Sequence, residues 1–263
     1  MNKRLTKHLL IYEIRNATGN GFAIFFGVVF PLLLSILFSH VVAGQVPVSQ
    51  RTDARTSIFL SIMMIIPMAT TFVGYAATYS QEIENNIPLR FELFGIGKHT
   101  ALAAKLIANL VFLLASTAIY FAVDLPLIQI YAPSPAAVPL VIFIVILLGA
   151  ILLVIAHSIA VMMGKFSRTY AVTMILYFGF MILCGMFGVQ LSQFPPALRA
   201  IAKLLPMTYM STDSDFLSVW KGESYNPARF ILSFVFLAAV AAALFLISVW
   251  KSRRRKGGKF AHV

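Results

Sequence analysis

The chain has 263 residues, of which 60% are hydrophobic and only 11% charged, with a mean hydropathy of +0.88. An average soluble domain carries about 25% charged residues, so the composition excludes an ordinary soluble enzyme, a disordered chain and a disulfide scaffold, and points to a polytopic membrane protein. The net charge of +12, from 21 Lys and Arg against 9 Asp and Glu, reads in so apolar a chain as basic cytoplasmic segments meeting anionic membrane lipid, with no nucleic acid as partner. The lone Cys184 excludes an internal disulfide or a Cys-rich metal site.

Taken in order, residues 1–20 are basic (Lys3, Arg4, Lys7, Arg15), with Leu5, Leu9 and Tyr12 on one helical stripe. This predicts a helix lying in the cytoplasmic interface. Six apolar runs follow: Phe22–Val42, Ile58–Tyr79, Thr100–Val123, Val138–Met163, Tyr170–Val189 and Phe230–Trp250. Each has about the 20 residues that a helix needs to cross a bilayer. Because they are continuously apolar rather than alternating, they predict helices and not a barrel. The fold class expected is therefore an all-α membrane protein with six transmembrane helices in a single domain over 1–263. Pro31 and Pro67 lie inside runs and predict a kink or helix break.

Fifteen of the Lys and Arg fall on one side of these runs and six on the other, which puts both termini in the cytoplasm. The basic tail 251–263 then caps the last span as a lipid anchor. In the outer region 190–226, Leu198, Ile201, Ala202 and Leu205 form an apolar face on a short helix begun by Pro195 and Pro196 and ended by Pro206. Too short to span, this element is expected to lie in or dip into the outer leaflet.

The chemistry of an enzyme is missing from the pattern. All carboxylates, including Asp124 at the outer end of the third run, are placed outside the deep membrane, and His157 is expected to be neutral and hydrogen-bonded to a neighbouring helix. Asp213 and Asp215 flank Ser214 in an outer polar loop. Gly97-Lys98-His99 is not a phosphate loop, since the position five before Gly97 is Glu92, so the chain has no Walker-type site of its own.

Residues 80–99 are read as a long cytoplasmic loop that mixes charges with Ile87, Leu89, Phe91, Leu93 and Phe94. Apolar residues on such a loop suit docking to a cytoplasmic partner. Here the sequence resembles the permease subunits of type-2 ABC exporters, the type V exporter fold, in the spacing of Glu84, Arg90 and Lys105. The family's Gly-Thr pair after the Glu is Asn86-Ile87 here, and its later proline is Gly95. Phe30-Pro31-Leu32-Leu33-Leu34, Leu183-Cys184-Gly185-Met186-Phe187 and Pro206-Met207-Thr208-Tyr209 are similar to further family motifs in the same order.

The resemblance implies a non-catalytic membrane subunit in the plasma membrane, paired with a second permease subunit, identical or homologous, and with two copies of a cytoplasmic ATP-binding subunit. ATP and Mg would belong to that partner, and this chain would hold no cofactor or metal. It implies that Glu82, Glu84, Arg90 and Glu92 pass force from the ATPase, and that short outer helices cover the exit. It also implies a substrate path along spans two and five, with Met63, Thr70, Thr71, Phe72, Met174, Tyr177, Phe178 and Met181 as its candidates. The cargo expected is a hydrophobic or amphiphilic drug, lipid-like molecule or peptide. An ion-gradient transporter or channel using His157 and Asp124, and a membrane scaffold without a path, remain open on the residues alone.

Overall fold

The computed structural model describes residues 7–186, 191–211 and 214–257, and the readings placed on Lys3, Arg4, Leu5, Phe187, Asp213 and Lys259 lie outside them. Among the described residues the regular structure is entirely helical. Helix α1 (Lys7–Thr18) is followed by α2 (21–45), α3 (Val48–Glu84), α4 (Ile87–Leu93), α5 (Lys98–Leu127), α6 (Ala137–Met163), α7 (Phe166–Leu183), α8 (Pro196–Ala202), α9 (Pro206–Ser211), α10 (Ser214–Lys221) and α11 (Ala228–Gly257). Five of these, α3, α5, α6, α7 and α11, are long and apolar enough to cross a membrane, and a shorter apolar helix, Phe25–Val41, occupies the place of the first expected span.

The spans are not equivalent. In α3 the apolar stretch is 89% buried, against 22% in α7 and 28% in α11. Helix α3 is therefore the central pillar, and the others wrap it and leave apolar faces such as Leu33, Leu37, Leu232 and Leu246 outward. In a bilayer those faces meet lipid tails, so packing rather than apolar burial decides which helices touch. Two small residues let α3 be approached closely. A Cβ on Gly27 would overlap the Thr70 side chain, and one on Gly149 would overlap Leu113 and crowd Thr71.

The two span prolines are accommodated by π-helical turns. Phe25–Val29 precedes Pro31, and Met68–Gly74 follows Pro67. Proline lacks the N–H that would close the regular ladder, and a wider turn redistributes the remaining bonds. Thr71 Oγ1 donates to the Pro67 carbonyl at 2.7 Å, and Thr70 Oγ1 to Ile66 at 2.8 Å, so both hydroxyls are satisfied within their own helix.

The apolar face expected on α8 is divided between the protein interior and its surroundings. Ala202 and Leu205 are buried, but Leu198 and Ile201 are about half exposed. Pro206 begins α9 as well as ending the preceding turn, and α9 itself is buried from Pro206 to Met210, packed against α3 and α11. Thr208 and Tyr209 hydroxyls donate back to Ala202 and Lys203 carbonyls, which folds α9 onto α8. Arg199 ties α8 to the carbonyls of Ser192 and Phe194. Beyond it, Trp220 is fully buried and donates to the Tyr131 carbonyl at 2.8 Å.

Candidate functional site

The end of the bundle that carries α4, termed the inner end, is built around Lys105. Its Nζ lies 2.8 and 2.7 Å from the two oxygens of Glu13 and 2.6 Å from Glu82 Oε1. All three side chains are at most 6% exposed. Asn16 Nδ2 also donates to Glu82 Oε1, at 2.6 Å, while Glu82 Oε2 has no partner among the described residues. The cluster thus joins three elements: α1 through Glu13 and Asn16, the end of α3 through Glu82, and the start of α5 through Lys105.

This arrangement adds to one reading and corrects another. The buried stripe of α1 is Leu9, Glu13 and Ala17, so the helix turns a carboxylate inward and leaves Tyr12 44% exposed. Residues 80–84 are not loop: α3 continues to Glu84, and Glu82 faces the interior, where it can hold a geometry but cannot touch a docking partner. Apolar periodicity missed Glu13 because a buried ion pair puts a charged residue where the pattern expects a hydrophobic one. Two carboxylates share one ammonium here, and burial pushes Glu13 above the ordinary glutamate range while Lys105 opposes the shift.

After Asn85, Asn86 adopts a left-handed backbone (φ 57°), which Asn tolerates better than most residues, and turns the chain into α4. Pro88 sits in the first turn of α4, where its missing N–H costs nothing. Leu89, Leu93 and Phe94 are 55%, 79% and 70% exposed. Phe91 packs edge-on to Tyr12 of α1 at 5.9 Å. Arg90 is exposed, and Glu92 is paired with Lys98 at 3.1 Å on the surface. Glu84 accepts the backbone N–H of Phe166 at 2.9 Å, so the last residue of α3 caps the first turn of α7.

The substrate-path candidates separate into two groups. Met63, Thr70, Thr71 and Phe72 on α3 are 0–1% exposed inside the chain, as are Tyr177 and Met181 on the inner face of α7. Phe178 is 36% exposed on the outward side, where Ile175 and Ile182 are also exposed, and Met174 is half-buried against the core. His157 lies where expected: its Nδ1 is 2.8 Å from the Tyr75 hydroxyl, and its ring stacks on Tyr79 at 4.8 Å. Asp124 lies near the end of α5, as expected there, but it is fully buried, with the Ser35 and Tyr120 hydroxyls beside its carboxylate. One turn before it, the Tyr120 hydroxyl donates to the Phe59 carbonyl at 2.9 Å and lies 3.0 Å from the Ser35 hydroxyl.

Long apolar helices around a central span, with a polar cluster and a short exposed helix at one end, define a multi-pass helical membrane protein. Family comparison then gives the class a name. The ABC-2 type transporter family model matches residues 4–212, and the chain belongs to that family, as the permease subunit of a type-2 ABC transporter. No curated protein matches the chain.

Proposed function

We propose that this permease drives export of a hydrophobic or amphiphilic cargo, powered by two copies of a separate cytoplasmic ATP-binding subunit. The observation that carries the reading is α4: a short helix with Leu89, Leu93 and Phe94 exposed, mounted on a buried ionic cluster. An exposed apolar helix suits a protein partner. A mount of close, desolvated ion pairs keeps its geometry when that partner moves. ATP and Mg belong to the partner, and the present chain supplies the docking surface and the membrane path.

In this reading the two ATP-binding subunits close on ATP and push on α4. The push passes to α1 through Phe91 and Tyr12, to α3 and α5 through Glu82 and Lys105, and to α7 through Glu84. Arg90 and Glu92 lie on the docking surface and set its geometry; as exposed charges they add little affinity. A second permease subunit packs on the α7 stripe of Ile175, Phe178 and Ile182. Phe178 then faces the path directly, half-buried Met174 borders it, and Met63, Thr70, Thr71, Phe72, Tyr177 and Met181 reach it only when α3 and α7 part. The excess of Lys and Arg on the α4 side supports a reading in which that side, both termini and the anionic lipid contact lie at the cytoplasmic leaflet of the plasma membrane. The buried α9 closes the outer end.

Co-purification from the native host tests this. A tagged chain is expected to bring an ATP-binding subunit in equal amount. Glu84→Lys is expected to lower permease-stimulated ATP hydrolysis at unchanged yield, with Glu84→Gln closer to wild type because it keeps an acceptor for the Phe166 N–H. A pure chain with no ATPase, or unchanged stimulation in Glu84→Lys, overturns the proposal.

A further inference from the structure

A cavity of about 660 Å³ lies at the inner end of the bundle. Helices α5 and α11 flank it through Leu102 and Val249, α3 and α6 line it through Tyr79 and His157, and α4 borders it through Leu89 and Phe91. Its volume is within the range of about 300–1,000 Å³ typical of small-molecule sites. Its wall is mainly apolar, and Phe245 and Leu89, at 39% and 55% exposed, carry it to the surface.

The start of α5 and the end of α4 bring charged groups to the lining. Lys98 and Glu92 pair at 3.1 Å there, and exposed His99 lies beside them. That pair is open to solvent (side chains 56% and 37% exposed), and such pairs are weak, so an anionic group can displace Glu92 from Lys98. The other cation of the lining, Lys105, is already held by Glu13 and Glu82. Past Val249, α11 continues through exposed Lys251 to Gly257, a stretch that includes Arg253, Arg254, Arg255 and Lys256. Among the described residues Glu92 is the one acidic side chain of the lining, against Lys98 and Lys105.

An apolar slot among membrane helices with a basic mouth matches an amphiphile that has an acyl chain and a negative headgroup. We propose that the cavity binds one anionic glycerophospholipid: its phosphate at Lys98 and His99 with Lys251 nearby, and an acyl chain between Leu102 and Val249. Basic pockets between transmembrane helices on the cytoplasmic side are suited to such headgroups. A lipid so held lies against α4 and sets its tilt relative to α5. The assignment to the inner leaflet rests on the orientation proposed above; binding itself does not.

The test is native mass spectrometry of the full chain, equilibrated in mixed micelles of dioleoylphosphatidylglycerol and dioleoylphosphatidylcholine and then stripped of loose lipid. One phosphatidylglycerol per chain is expected to remain. Lys98→Gln is expected to weaken retention about fivefold, and Lys98→Gln with Lys251→Gln about 25-fold. Val249→Trp, which fills the slot, is expected to abolish it, and Lys221→Gln at the outer end to leave it unchanged. Equal retention of phosphatidylcholine overturns the proposal. So does phosphatidylglycerol retention that survives Val249→Trp, because the lipid is then bound elsewhere. Should Val249→Trp fail to fold, the charge variants decide alone: undiminished retention in the double variant overturns it. No ATPase is needed, so a chain that retains the lipid but recruits no ATP-binding subunit defeats the export reading and leaves this site standing.

Discussion

The two ends of the molecule each carry a lysine 2.6 Å from a carboxylate, and the two pairs do different work. At the inner end Lys105 meets Glu82 and Glu13 at no more than 6% exposure. At the outer end Lys221 meets Asp53 with the side chains 25% and 42% exposed, and it lies 4.4 Å above the Tyr131 ring. Distance is the same; solvent is not. A desolvated charge that loses its partner has nothing to replace it, whereas an exposed one is taken up by water. The inner cluster therefore locks α1, α3 and α5 together. The outer pair only trims a cap whose firm anchor is Trp220 on the Tyr131 carbonyl.

Four substitutions can break or sharpen that contrast. Lys105→Ala leaves two buried carboxylates without their cation and is expected to cost about 3–5 kcal/mol, read as loss of folded protein or a large drop in Tm in detergent. A drop no larger than that of an exposed-pair variant would remove the distinction. Trp220→Phe strips the donor from the Tyr131 carbonyl and is expected to cost about 1–3 kcal/mol in the same assay.

The third test uses pH. Burial raises Glu13 above its ordinary value of about 4.3, so in that window the folded state holds more protons than the unfolded one. Stability carried by Glu13 is then full below the ordinary value and declines as pH rises through the raised one. Glu13→Gln does not titrate, so its Tm relative to wild type is expected to climb as pH increases from about 4. A difference that stays flat with pH would show that Glu13 does not govern the cluster. The smallest effect is expected for Lys221→Ala, about 0–1 kcal/mol and further reduced by salt. A salt-insensitive loss above 2 kcal/mol, on the order of a buried pair, would place the outer pair in the same class as the inner one.

Where the sequence and the structure part company, the cause is almost always a charged or polar residue placed inside. The spans were legible because a bilayer demands length and continuous apolarity, which Val138–Met163 shows without ambiguity. The hydrogen-bonded state of His157 was legible too, since a lone imidazole among apolar neighbours needs a partner. Glu13, Glu82 and Asp124 were not, since hydropathy treats each as a marker of water. The position of Asp124, three residues from the end of a helix that runs past Pro126, shows how a span boundary drawn at Val123 hides a buried acid.

The path candidates teach the same point from the apolar side. Met63 and Phe178 look alike on a hydropathy plot. One sits fully buried in the central pillar, and the other faces outward on α7.

The amino-acid sequence by itself determined that this chain is a helical membrane protein, where its spans run and which family motifs it shares, because composition and the period of apolar residues answer to the bilayer alone. Only the tertiary structure decided that α3 is the centre, that Lys105 gathers carboxylates from two other helices, and that a cavity opens behind α4. Those outcomes depend on which helix faces lie against one another, and residues 92 positions apart such as Glu13 and Lys105 leave no local trace of their meeting.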